Sequence, residues 1–143
     1  MPELKEIEEE IIEEFSLFDD PMMKYEYLID LGKKLPPMPE AHKKEENIVK
    51  GCQSTVYLYS EFEDGHMRFE ADSNTVITKG IISLLVRVLS GRSPEEVLAA
   101  DLGFIDKINL RALLSEQRNN GLNAMLKRMK EDAKKYLTKK NNP

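Results

Sequence analysis

The chain has 143 residues, 41% apolar and 33% charged, with a net charge of −5 at neutral pH. That length and mixture suit one soluble globular domain over residues 1–143, and the acidic balance disfavours a general nucleic-acid binder. The single cysteine excludes an internal disulfide and a cysteine-ligated zinc or iron–sulfur centre built from one chain.

Glu3 to Phe18 reads as an amphipathic helix, with Ile7, Ile11, Ile12, Phe15 and Phe18 at helical spacing between glutamates. The first fourteen residues hold seven glutamates and one lysine, and the stretch 127–140 holds seven basic residues; both are read as solvated helix faces. There is no apolar leader segment near the N-terminus, so a cytoplasmic location is expected. Asp20-Pro21 restarts a helix that carries Met23, Tyr27, Leu28, Leu31 and Leu35 and ends at Pro36, Pro37 and Pro39. Ala41 to Glu46 reads as a polar loop with His42 solvated, since no second ligand stands at metal spacing from it. Asn47-Ile48-Val49 suits a short strand leading into the Cys52 loop.

Asp64-Gly65 is a two-residue hairpin turn. Pairing outward from it sets Glu63 against His66, Glu61 against Arg68 and Leu58 against Ala71. One face then collects Val56, Leu58, Phe62, Met67, Phe69 and Ala71, the pattern of an antiparallel sheet backed by helices. Asp72 or Ser73 then caps a helix that runs to about Ser90 and stops at Gly91. It is apolar around more than one face and reads as the central buried helix, and Gly80 within it signals close approach of another backbone. The run is broken by Thr78, Lys79, Ser83 and Arg87, and is too short and polar to span a bilayer.

Ser93-Pro94-Glu95-Glu96 is a capping box that opens a short helix. Ile108 to Leu114 reads as a short helix or turn, Ser115 to Gly121 as a polar loop, and Leu122 to Leu137 as a final helix before a frayed Asn141-Asn142-Pro143.

The chain contains no phosphate-binding glycine loop, dinucleotide fingerprint or nucleophile elbow. Cys52 remains as the candidate for chemistry. Its local pattern fits both a reactive thiol and a small buried hydrophobe. Lys50 or Arg118 would favour the thiolate if the fold aimed either at the sulfur; burial in an apolar pocket would oppose it.

Val49-Lys50-Gly51-Cys52-Gln53-Ser54-Thr55-Val56 resembles the signature of the SufE-type sulfur acceptors. Phe69-Glu70-Ala71-Asp72-Ser73 leading into Ile77-Thr78-Lys79-Gly80-Ile81 is similar to a second segment of that family. Leu89-Ser90-Gly91-Arg92-Ser93-Pro94-Glu95-Glu96-Val97 and Arg118-Asn119-Asn120-Gly121-Leu122 resemble two more, in the same order. Tyr57, Asn74 and Glu116 stand where the family commonly has Trp, Asp and Pro, and they bear on partner preference.

The resemblance implies an α+β fold, with a small antiparallel sheet of about three strands packed against several helices, as in U-type scaffold proteins. It implies that Cys52 takes persulfide sulfur from a PLP-dependent, SufS-like cysteine desulfurase, stimulates that enzyme and passes the sulfur on for iron–sulfur cluster assembly. Gly51, Gln53 and Ser54 would shape the loop, and Arg118 and Asn120 would line the pocket or docking surface. The PLP would belong to the partner, leaving this chain without a cofactor or metal. The expected state is a monomer or weak homodimer that touches neither nucleic acid nor membrane. The alternative reading is a non-catalytic interaction domain of the scaffold fold with a structural, buried Cys52.

Overall fold

The computed structural model describes residues 2–141, with side chains to residue 138. The chain opens with two helices, α1 (Leu4–Ser16) and α2 (Pro21–Lys33), then two short 3₁₀ turns at Glu40–His42 and Glu45–Asn47. A hairpin of β1 (Val56–Glu63) and β2 (His66–Ser73) follows. Then come α3 (Val76–Leu89), α4 (Pro94–Ala99), α5 (Phe104–Lys107), α6 (Leu110–Leu113) and the long α7 (Glu116–Asn141). Asn142 and Pro143, read as part of a frayed end, lie outside the described residues.

The hairpin adopts the register expected from its turn, from Glu63 opposite His66 to Leu58 opposite Ala71. Its inner face buries Val56, Leu58, Met67, Phe69 and Ala71 against α3, while Phe62 stacks on Tyr136 of α7. The expected third strand is reduced to a single bridge between Ile48 and Tyr57, leaving a two-stranded sheet. It cannot lengthen because the Glu45–Asn47 turn precedes it and a turn at Lys50-Gly51 follows it. The free edge of β2 is covered too: Met67 N–H donates to the Arg92 carbonyl and Gly91 N–H to the Met67 carbonyl.

Helix α3 is the centre of the core. Ile77, Ile81, Ile82, Leu84, Leu85, Val88 and Leu89 are all buried, between the hairpin on one side and α1, α2 and α7 on others. It crosses α2 at very short range. A Cβ built on Gly80 would lie 2.2 Å from the Leu28 carbonyl oxygen, and one on Gly32 would lie 2.5 Å from Gly80 N. The close approach expected at Gly80 is this crossing. Its N-terminus differs from expectation: Thr75 is the capping residue and makes no side-chain cap bond. Asp72 is drawn away by Lys43 at 3.1 Å and Lys79 at 3.5 Å, and Ser73 only reaches the Thr75 N–H at 3.4 Å. The capping box of α4 forms as read, with Ser93 and Glu96 bonding each other's backbone N–H.

His42 is not solvated as expected. Its ring stacks on Tyr59 with centroids 3.7 Å apart, and Nδ1 lies 3.0 Å from Glu70 on the outer face of the hairpin. Cross-strand position, which puts Tyr59 beside Glu70, creates that seat.

A second polar cluster ties α1 to α3. Arg87 bonds both oxygens of Glu14, and Tyr27 Oη donates to Glu14 Oε1 at 2.6 Å. The Arg87 bond holds the Glu14 carboxyl below its ordinary value of 4.5, while desolvation and the bond to Glu14 push Tyr27 up to about 12. Because the folded carboxyl ionises below its unfolded value, this pair contributes stability above pH 4.5 and loses it as pH falls through the folded value. Thermal melts of Glu14→Gln should therefore show lower stability than the native chain at pH 7, and the gap should close in more acidic buffer. A gap that is constant from neutral to acid pH would show that Glu14 does not contribute in this way.

Candidate functional site

The turn at Lys50-Gly51 presents Cys52 to α7. Gly51 has φ +98°, a conformation that side-chain-bearing residues rarely adopt, and a Cβ there would lie 3.2 Å from the Ala124 Cβ. Cys52 is half-buried, and its thiol donates a long bond of 3.6 Å to the Gly121 carbonyl. Gly121 lies within a helix, where glycine costs about 1 kcal/mol relative to alanine. A Cβ on Gly121 would lie 3.6 Å from Sγ, so glycine leaves open the space beside the sulfur.

A cavity of about 250 Å³ opens at this point. Cys52, Gln53 and Ser54 line it from the loop, Thr78 and Ile81 from α3, and Arg118, Gly121 and Met125 from α7. Ser54, Thr75 and Thr78 join their hydroxyls beside the loop: Thr75 donates to Thr78 at 2.7 Å, and Ser54 lies 3.2 Å from Thr75. The returning limb is held by Asn74, whose Oδ1 accepts from Thr55 N–H at 3.1 Å and whose own N–H donates to the Thr55 carbonyl.

The expected polar loop from Ser115 to Gly121 is instead the start of α7. Ser115 Oγ accepts the Arg118 N–H and its carbonyl accepts the Asn119 N–H, so one serine supports the first helical turn. Polarity and a glycine mimicked a loop, but with Ser115 supporting its first turn the run is helical from Glu116. Asn119 is structural, donating to the carbonyls of Arg111 and Leu114. Asn120 is exposed and lies outside the cavity lining, whereas Arg118, two residues earlier, lines it. The Arg118 side chain makes no hydrogen bond or ion pair within the described residues. Lys50 is exposed and lines a neighbouring cleft with Glu45, Glu46 and Lys127. Thr78, Gln117 and Met125 belong to the cavity and were missed in sequence; nothing in their local pattern distinguishes them from ordinary helix residues.

Burial pushes the Cys52 thiol up, and no cation offsets it in this arrangement. At rest the sulfur is therefore a protonated thiol donating to a carbonyl, a form that is a poor nucleophile. Alkylation of the native protein followed against pH should show a midpoint above the ~8.5 of an unperturbed thiol, returning to about that value in denaturant. A native midpoint at or below the denatured one would contradict this reading of the site. Among the described residues, no group of three or more His, Cys, Asp or Glu comes together as a metal site. Among them, too, no helix is long and apolar enough to cross a membrane.

A family model described as SufE, an Fe-S metabolism associated domain, matches residues 9–133. The chain belongs to the SufE family. Over 134 residues it is 37% identical to an uncharacterized SufE-like protein of Rhizobium meliloti, covering 90% of this chain and 96% of that one. It is 33% identical over 130 residues to the cysteine desulfuration protein SufE of Wigglesworthia glossinidia brevipalpis, covering 90% of each. It is 38% identical over 104 residues to the sulfur acceptor protein CsdE of Escherichia coli, covering 71% of each. The fold is similar to the solution structure of a hypothetical protein from Thermus thermophilus, with a TM-score of 0.76 and 27% identity over 92% of this chain and 96% of that one. As a SufE family member, the protein has the α+β architecture that its motifs implied, with the sole cysteine half-buried at a cavity between loop, α3 and α7.

Proposed function

We propose that this protein is a sulfur acceptor in Fe–S metabolism, taking persulfide sulfur from a cysteine desulfurase onto Cys52. The observation that carries this is the placement of the only cysteine at the mouth of a cavity beside Arg118, on a loop turned by Gly51. The names of its relatives, a cysteine desulfuration protein and a sulfur acceptor protein, agree with it.

In the reaction, the Cys52 thiolate attacks the terminal sulfur of the desulfurase persulfide. A new S–S bond forms at Cys52, the S–S bond of the donor breaks, and the donor cysteine leaves as its thiolate. The proton released from Cys52 passes to solvent or to that leaving thiolate, and no external oxidant or reductant is consumed. The half-buried, protonated resting thiol must first be exposed further and ionised, so docking of the desulfurase is the step that activates it. Removal of the persulfide sulfur frees the donor cysteine for another turnover, which stimulates the desulfurase. The cavity beside Gly121 has room for the second sulfur after transfer, which shields it from water and reductant until it passes to an Fe–S scaffold.

In this scheme PLP stays with the desulfurase, the chain needs no cofactor, and it works in the cytoplasm as a monomer or weak homodimer. Gln53 and Ser54 shape the loop, and Arg118, whose side chain has no hydrogen bond or ion pair among the described residues, is available to the docking partner from the cavity lining. The test is intact mass without reductant after incubation with a desulfurase, PLP and cysteine. One added sulfur atom is the expected result, and an unchanged mass with no stimulation of the desulfurase would overturn it.

A further inference from the structure

The segment entering the Cys52 loop is held to α7 by one guanidinium. Arg128 Nη2 donates to the Glu46 carbonyl at 3.0 Å and Nη1 to the Ile48 carbonyl at 3.3 Å. Its Nε donates to Asp132 Oδ1 at 3.1 Å. Asp132 is only 5% exposed, and its other oxygen accepts from Ser60 Oγ of β1 at 2.8 Å. The carboxylate is thus fixed to the hairpin and aims the guanidinium at the two carbonyls.

Those carbonyls belong to the base of the loop. Ile48 forms the single bridge to Tyr57, and Val49 N–H donates to the Val56 carbonyl at 2.8 Å, closing residues 50–55 into a loop. Along one face of α7 the contacts recur at helical spacing: Gly121 meets the sulfur, Ala124 lies under Gly51, Arg128 holds Ile48 and Asp132 aims Arg128. The returning limb, by contrast, is held by neutral bonds, from Thr55 N–H to Asn74 and between the Ser54 and Thr75 hydroxyls. Charge-assisted bonds are roughly twice as strong as neutral ones, so the entering limb carries the stronger restraint.

We propose that Arg128 is a positioning residue that sets the resting register of the Cys52 loop on α7 and so controls how far the thiol is withheld from solvent. The consequence for sulfur transfer rests on Cys52 being the acceptor; the restraint itself does not. Removing the guanidinium frees the loop base, and Sγ leaves the Gly121 carbonyl more often.

The experiment is the rate of alkylation of Cys52 by iodoacetamide in the folded protein, with folding checked by circular dichroism. Arg128→Ala should alkylate about tenfold faster than the native chain, the size expected for loss of bonds to a charged donor. Arg128→Lys should fall between, because an ammonium cannot bond Asp132 and both carbonyls in one plane. Lys127→Ala removes the same charge from the same cleft, where Lys127 has no hydrogen bond or ion pair among the described residues, and should stay within about twofold of native. If Arg128→Ala does not fold, Arg128→Lys with faster amide exchange over residues 50–54 supports the restraint. Native alkylation and exchange rates in the folded Arg128 variants overturn it, because a merely structural residue would lower melting temperature without moving either. Failure of the native chain to take sulfur, with faster alkylation in Arg128→Ala, would remove the acceptor reading and leave the restraint standing.

Discussion

Replacing Cys52 with serine should abolish the proposed sulfur uptake and leave the fold standing. A serine hydroxyl cannot form the S–S bond that holds the transferred atom, and no second cysteine is present to take over. The structural cost is small. Sγ is half-buried, and its one polar contact is the long bond to the Gly121 carbonyl, which a hydroxyl can still make. The change in stability should be within about 1 kcal/mol, the range of substitutions that neither open a large cavity nor strand a buried charge. In the mass experiment, the native chain should gain one sulfur and Cys52→Ser none, with both melting at similar temperatures. Equal uptake by the two would place the acceptor elsewhere. Loss of uptake together with loss of folding would favour the alternative, in which Cys52 is a packing residue of an interaction domain.

Gly80→Ala should be among the most destabilising single substitutions in the chain, although alanine is the better helix former. The added methyl would meet the Leu28 carbonyl oxygen at 2.2 Å and the Leu28 carbonyl carbon at 2.9 Å. These are backbone atoms of a second helix and cannot rotate aside, so α2 and α3 must separate. The packing of Leu28, Ile81 and Leu84 along the crossing, all fully buried, separates with them. Overpacking of a core costs typically about 1–3 kcal/mol and occasionally more, against about 1 kcal/mol gained in helix propensity. With a clash this short, the net loss should be about 3 kcal/mol, or roughly 10 °C in melting temperature. Gly103→Ala is the contrast, since a methyl there meets nothing within 4 Å. Thermal or urea unfolding of the two variants checks the argument; equal stability would show that the helices can part without cost.

The pattern of residues determined much of the local structure. The Asp64-Gly65 turn, with alternating polarity on either side, could satisfy one register only, because a slip by one residue would expose the whole inner face. Ser93 and Glu96 needed only each other, so their capping box was legible within four residues. Asp20 caps α2 for the same local reason, accepting the Met22 N–H. The helices at Pro21–Lys33 and Val76–Leu89 followed from apolar spacing and from the residues that end them. Elements whose partners are distant were less legible. Ser115 to Gly121 has the composition of a loop, and His42 that of a solvated side chain. The first becomes a helix whose opening turn rests on Ser115, and the second is settled by contacts far along the chain, with Tyr59 and Glu70.

The site divides in the same way. A single thiol among ordered motifs was enough to name Cys52 and the family, because those are properties of residue identity and spacing. Whether the thiol is exposed or withheld is a property of what surrounds it. Lys50 is its neighbour in sequence yet lines another cleft, while Arg118, sixty-six residues away, lines the same cavity without lowering the thiol. The sequence alone therefore singled out the candidate atom for chemistry. Only the tertiary structure decided its resting state, because burial against α7 raises the cost of the thiolate, and burial depends on segments that meet only after the chain has folded.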